Sequence, residues 1–561
     1  MMRLVLNSLG NTVIPPPPPP PDEGEGLTEG GNVVFLDTTG GDDTWDGLYG
    51  DDQGDASGGP LKTFAAVNAL DLSNVVGIYL LEGTTSTGTG FWNQTDFTGT
   101  AEEPAVLGAY YMNAGTPTRG LNAGNRPIIQ GTAARIFDYD GTNQLSNSQM
   151  VPSWTDRSPS ASFPAGQGLV GADFDVPTDA YIRIENLYIR HSGGRGIRYT
   201  FADHLQVFNC YVQLCLDSGI QLRDCAGDIQ ITDSYCSGCA GGEQWVSLIS
   251  TRPSSISLRR CGEADSVKIQ RNVVWQQWGE AINCWFDAPN VLMEDNVSID
   301  SSIIHFYIDS TRDSVFRRNL AFQSGGSKSN GCSDLRDAPM FSHQIGEFDQ
   351  FANDTEKLAI CSQNNVFYGN IGIGCRQMHE FWDQDYSRGS GLTQGNYRDY
   401  YIFRNTSINA GQEYDSLGST GHWTADNLRV WDNMHLQFDG RSHSIDANWA
   451  AKTSLANNNA WNNTPPSGFT NNITGDTWDG DETGFENLQS LTTWEADDHI
   501  DISDIDDYIT AVKAKLGGPT GGSVGSGSAG VHPSGITVAS FVDLDFDITP
   551  YVTNDVGAKK G

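Results

Sequence analysis

Positive charge is scarce in this chain. Its 561 residues carry 33 Lys and Arg against 70 Asp and Glu, for a formal net charge of −37 and a pI near 4.4. That balance repels nucleic acid and anionic membrane surfaces at long range, so neither is expected as a partner. Long apolar runs are missing too. No stretch approaches the roughly 20 apolar residues of a membrane span, and no membrane insertion is expected. The opening MMRLVLNSLGNTVI is too short and too polar for the core of a secretion signal, and no small-residue cleavage site follows it. Cysteine is too sparse, at ten residues, for a disulfide-built scaffold. Cys236 and Cys239 form a C-x-x-C with no second pair and no His at zinc-finger spacing, which leaves buried thiols as the expectation and no metal site. The glycine-rich calcium nonapeptides of some secreted proteins are absent as well.

What the chain does have is glycine, 64 residues of it, with only 18% charged residues. That mix suits many turns and short strands better than long surface helices. The length exceeds what one compact core holds, so the chain has several domains or one that grows by repetition.

Repetition is visible. An Asn or Asp follows a short alternating strand at Asn186, Asn209, Asp233, Asn272, Asn296, Asn319, Asn370, Asn405, Asn433 and Asn459. The tightest spacings are 23 and 24 residues, as from Asn186 to Asn209 and from Asn209 to Asp233. This period is too short for tetratricopeptide or propeller repeats, and the Leu pattern of leucine-rich repeats is absent. Three short strands and three turns per period make one coil of a right-handed parallel β-helix, an all-β solenoid. Each coil then lies about 4.8 Å from the next. The repeated Asn is expected at one corner of every coil, in a single column, where its amide bonds neighbouring backbone and tolerates left-handed dihedrals. Cys215 and Cys239, each six residues past that position, are expected to stack as neighbours.

Around this solenoid, placed at 33–475, two flanking regions are expected. Residues 1–32 read as an N-terminal anchoring peptide and linker, with Pro15–Pro21 forming a stiff rod of roughly 20 Å. Residues 476–561 read as a C-terminal capping or oligomerisation region, with a helix at 503–518. Within 61–70, Thr63 caps a short helix expected to cover the end of the sheet stack. Asp42, Asp43 and Asp46 are a candidate calcium site, although Asp-Gly clusters more often make plain turns. Calcium apart, no cofactor is expected.

Several stretches together resemble the pectate-lyase-like family of right-handed β-helices. They are VVFLDTTGGDDTWDG and GPLKTFAAVNAL near the start, GIYLLEGT (77–84), PAVLGAYY (104–111) with RPIIQG (126–131), GGRGIRY (193–199), DSGIQL (217–222), and DLDFDITPYVTNDVGA (543–558). The resemblance implies the fold strongly and the activity weakly, since that fold hosts lyases, hydrolases, isomerases, epimerases and binders. The calcium-binding aspartates and catalytic Arg of pectate lyases are not found in a matching arrangement.

A β-helix presents long flat faces, and the ligands of matching shape are sugar chains. Alternation after the Gly-Ile strand starts puts Ile197, Ile220, Ile282 and Ile304 inward. It puts Arg198, Gln221, Arg223, Asn283, Trp285, Asp287, His305, Tyr307 and Asp309 outward. RQMHEFWDQD (376–385) adds Arg376, His379, Glu380, Trp382 and Asp383. Asp287, Asp309, Glu380 and Asp383 are the candidate catalytic carboxylates, since glycoside hydrolysis needs a pair. Arg198, Arg223, Trp285, His305, Tyr307 and Trp382 are the candidate substrate-binding residues, because aromatic rings pack on sugar faces. Arg190, His191, Arg195 and Arg198 form the densest basic patch, suited to a uronate or sialate. The plainer reading of each carboxylate is the solvated side of a sheet in an acidic protein.

The leading functional expectation is a phage tailspike-type protein of the virion tail. It would dock to tail or baseplate proteins through its N-terminus and bind a bacterial surface polysaccharide, with or without depolymerising it. The resemblance implies a homotrimer. The alternatives are an extracellular polysaccharide lyase or glycoside hydrolase, and a non-catalytic surface adhesin.

Overall fold

The computed structural model of the protein describes residues 24–131, 168–239 and 254–474, apart from short interruptions within those spans. The N-terminal peptide, the Pro rod and the expected 476–561 region with its helix lie outside the described residues. The chain divides into two compact units, one holding the described residues up to Ile282 and the other those from Asn283 onward.

In the first unit, Val33–Leu36, Gly77–Leu81, Ala105–Asn113, Gly168–Glu185 and Arg195–Phe208 pair in succession. Arg195–Phe208 then pairs with both Ile220–Arg223 and Gly227–Thr232. Three-residue strands at 85–87, 128–130, 188–190, 211–213, 235–237 and 273–275 stack as another side of the coil. These pairings are parallel; Tyr110–Asn113 with Thr116–Arg119 is an antiparallel hairpin. Ile197, Ile220 and Ile256 stand in register in the core. The Gly of the Gly-Ile starts is required by packing: a Cβ on Gly196 would sit 2.5 Å from the Val212 side chain. Thr63 caps its helix as expected, accepting from the Ala66 N–H, but only Phe64–Val67 is helical.

The second unit has three stacks. Ile304–Asp309, Phe341–Ile345, Gln377–Asp383 and Gln412–Ser416 form one side. Val291–Glu294, Val315–Arg317, Val366–Tyr368, Gly395–Phe403, Trp423–Trp431 and Leu455–Asn457 form the next. The third runs from Val297–Ile299 through Leu320–Phe322, Ile371–Ile373, Thr406–Ile408 and Met434–Leu436 to Ala460–Trp461 and Ile473–Thr474. The fold is a right-handed parallel β-helix.

The repeated Asn occupies two adjacent columns, which corrects the single column expected. Asn186, Asn209 and Asp233 share one corner with Arg271 in the first unit, all at φ of 50–57°. Each donates its N–H to the carbonyl just before the next member, as Asn209 does to Thr232. In the second unit this left-handed corner is filled by Asp295, Arg318, Gly369 and Arg404. Asn296, Asn319, Asn370, Asn405, Asn433 and Asn459 sit one residue later and point inward, fully buried. There each Asn Oδ1 accepts both the backbone N–H and the side-chain amide of the preceding Asn, at 2.9–3.1 Å. Asn405 Nδ2 also donates to the Phe367 and Phe403 carbonyls. In the first unit the inward position holds Ser234 and Asn272.

Replacing Asn405 with Ala orphans several buried backbone groups at once, each worth about 1–3 kcal/mol. The expected loss is about 3–5 kcal/mol, read as a lowered denaturant midpoint at unchanged slope.

Candidate functional site

On the side built by residues 304–309, 341–345, 377–383 and 412–416, ladder register sets the neighbours. Tyr307, Ser342, Glu380 and Asp415 form one column, and Asp309, Gln344 and Trp382 the next. The intervening Phe306, Phe341, His379 and Tyr414 face the core, where the rings of Phe341, His379 and Tyr414 stack in turn.

Glu380 and Asp415 are therefore partners on neighbouring coils. Ser342 donates to Glu380 at 2.9 Å, and Gln377 donates to Asp415 at 3.0 Å. Burial raises the Asp415 pKa, the charge of Asp446 adds to this, and Arg376 and two hydrogen bonds only partly oppose it. Trp382 and Asp415 are half-buried, whereas Glu380 is 6% exposed. Asp415 was missed in the sequence. Its strand, QEYDS, starts with no Gly-Ile signal and hides the polar alternation, because Glu413 is buried against His443 at 2.7 Å.

Asp309 is held tightly in place. Its carboxylate accepts from the Gly346 N–H and the Ser310 hydroxyl at 2.9 Å each, and Tyr307 bonds both it and Gln344. It is fully buried, as is most of Tyr307. Trp285, Ile304 and Tyr307 form an apolar cluster, so Ile304, expected inward, joins the aromatic residues instead.

Three expected placements are corrected. His305, expected outward, is buried: Ser298 Oγ lies 2.7 Å from Nδ1 and Gln323 Oε1 lies 3.1 Å from Nε2. Two consecutive residues, His305 and Phe306, turn inward where the strand starts, and burial lowers the His305 pKa to about 3. Asp383, expected as a catalytic carboxylate on the face, points inward and is fully buried. It takes both oxygens to Lys357 Nζ, at 2.8 and 3.0 Å, and accepts the Gly395 N–H. Lys357 is equally buried, on the helix Asp354–Ala359. Asp287 lies beyond the end of its strand at a left-handed corner, φ 57°, and pairs with Arg312 at 3.0 Å. Burial raises its pKa against the pull of Arg312.

The Lys357–Asp383 pair predicts a specific pattern. Lys357→Met strands a buried carboxylate and costs about 3–5 kcal/mol, while Lys357→Met with Asp383→Leu recovers most of it. Denaturant unfolding of both variants reads the difference.

Arg198 and Arg223 belong to the first unit. Arg198 contacts Asp173 at 3.1 Å and Arg223 contacts Asp224 at 3.0 Å. Cys215 and Cys239 are neighbours as expected: Cys239 is among the groups that, after burial itself, raise the Cys215 pKa. Both are free thiols. Asp42, Asp43 and Asp46 accept backbone N–H groups of Thr44, Lys62, Thr63 and Leu48. Among the described residues, no three His, Cys, Asp or Glu side chains group to hold a metal ion.

The class defined by this geometry is a right-handed parallel β-helix with paired carboxylates on one outer side. Residues 170–296 match the family described as right handed beta helix region. Among curated proteins, none matches the chain. Among solved structures, a GH136 lacto-N-biosidase from Eubacterium ramulus is 14% identical, with a TM-score of 0.42, over 79% of this chain and 67% of that one. A pectate lyase is 11% identical, with a TM-score of 0.35, over 74% and 76%. An alginate lyase from a Paenibacillus species is 14% identical, with a TM-score of 0.31, over 66% and 90%.

Proposed function

We propose that this protein binds and cuts a polysaccharide, with Glu380 and Asp415 as its carboxylate pair. The observation that carries the reading is their placement as outward partners on adjacent coils beside the half-buried Trp382. Asp415, whose burial favours the protonated form, acts as the general acid toward the glycosidic oxygen. Glu380 acts as nucleophile or base. Partner strands place the two backbones about 4.8 Å apart. That favours the close carboxylate spacing of retaining hydrolysis over the wider inverting one. Trp382 supplies a ring face for a sugar.

The finer reading is a tailspike-type receptor-binding protein acting on a bacterial surface polysaccharide, carried as a homotrimer on a virion tail. It is supported by the sequence of the N-terminal segment, where a short apolar peptide precedes Pro15–Pro21. Incubation with a panel of capsular polysaccharides, lipopolysaccharides and plant glycans tests the activity. Reducing ends without unsaturated sugars support hydrolysis. Unsaturated ends would replace it with elimination, and no new ends from any member would remove the enzymatic reading. Light scattering tests the trimer.

A further inference from the structure

The first unit carries a second patch that the proposed carboxylate pair does not use. In a protein of net charge −37, five guanidiniums gather on neighbouring coils: Arg195, Arg198, Arg223, Arg259 and Arg260. Ladder register sets Arg198 beside Gln221, and Thr200 beside Arg223, which stands next to Arg259. Three carboxylates answer them. Asp217 pairs with Arg195 at 2.6 Å, Asp173 with Arg198 at 3.1 Å, and Asp224 is shared by Arg223 and Arg260 at 3.0 and 2.7 Å. The Arg223 and Arg260 side chains keep 34% and 38% of their surface.

An aromatic ring adjoins this charge. Trp92 pairs in register with Gly171, which pairs with Arg198. A Cβ on Gly168 would meet the Trp92 ring at 2.8 Å and Arg198 Cβ at 3.1 Å, so the indole lies over a side-chain-free floor against Arg198. The ring is half-buried.

We propose that this patch is a binding site for the acidic groups of a carboxylated or sulfated saccharide, with Trp92 against the sugar ring and Arg198 and Arg223 on its anions. Guanidinium forks match carboxylate and sulfate oxygens bidentately. The arriving anion replaces Asp173 on Arg198; Asp173 is the most exposed of the three carboxylates, with 38% of its side-chain surface open.

The test is equilibrium binding by calorimetry, in a Glu380→Gln background so that turnover does not enter. The probes are an oligogalacturonate, a heparin-derived oligosaccharide and a neutral gluco-oligosaccharide. The acidic probes are expected to bind at least about tenfold more tightly than the neutral one, with affinity falling as salt rises. Arg198→Gln with Arg223→Gln removes that preference at unchanged melting temperature. Asp173→Asn, which removes the competing carboxylate, strengthens acidic binding several-fold. Whichever acidic probe binds more tightly identifies carboxylate or sulfate as the natural group. Equal affinity for acidic and neutral probes overturns the proposal, as does an Asp173→Asn variant that binds acidic chains no better than its parent. Residual cutting by Glu380→Gln would count against the proposed catalytic pair and leave this binding result intact.

Discussion

Glu380→Gln and Asp415→Asn are each expected to lower the rate of glycan cutting by about 10²–10⁴-fold, the range a positioned acid or base supplies. Both substitutions keep side-chain volume. Ser342 and Gln377 donate their hydrogen bonds to an amide oxygen as readily as to a carboxylate oxygen. Melting temperature should therefore hold while turnover falls. The two variants should differ in their rescue. A substrate with an activated leaving group needs no protonation, so it restores cleavage by Asp415→Asn and not by Glu380→Gln. The pH profile of the parent supplies a second reading: its alkaline limb follows an acid whose pKa burial has raised above the ordinary Asp range. Loss of stability in step with loss of activity would instead mark both residues as structural.

The second large effect is acid instability. Burial lowers the pKa of His305 and of His343 to about 3, from an ordinary 6.5. His379 and His435 are pushed well below their usual value as well. In the folded protein these rings stay neutral, while the unfolded chain takes up protons once pH falls below about 6.5. Stability from these groups is thus complete above that pH and is lost on acidification, until the folded rings themselves titrate near pH 3. At pH 5 each of His305 and His343 costs about 2 kcal/mol, or about 4 kcal/mol together, and His379 and His435 add to it. That is a large part of the 5–15 kcal/mol that holds a typical domain. Asp287 and Asp415, with raised pKa values, act in the opposite direction but are half-buried at most. Denaturant unfolding from pH 7 to pH 4 should show a falling midpoint. His343→Phe with His379→Leu should flatten that slope, because the Nε2–Nδ1 contact of 3.0 Å sits among Phe341, Phe367 and Phe381.

The fold was legible in the sequence because a stacked coil repeats its own constraints. A corner at positive φ favours Asn or Gly, and an inward amide must bond backbone above and below, so both requirements write Asn into the chain. That is also why the two columns merged into one in the sequence. Asn186, Asn209 and Asp233 answer to the dihedral, whereas Asn296 through Asn459 answer to the buried ladder one residue later. Facing within a strand was less legible. His305 and Asp383 are polar, and polarity suggested the outer side, but each has a buried partner that only the fold supplies: Gln323 for one and Lys357 for the other. Asp415 was hidden for the converse reason. Asn370 and Asn405 are 35 residues apart, so the longer coil between them broke the regular count that would have aligned residue 415 with residue 380.

The register itself is the quantity to measure. With Glu380→Cys and Asp415→Cys in one chain, the partner backbones lie about 4.8 Å apart, within the range a disulfide spans. Mild oxidation should join peptides containing residues 380 and 415, identified by mass spectrometry, while Glu380→Cys with Glu413→Cys stays unlinked. Linkage of 380 to 413 in place of 415 would shift the register by two residues, set Asp415 opposite Trp382 instead of Glu380, and contradict the site described.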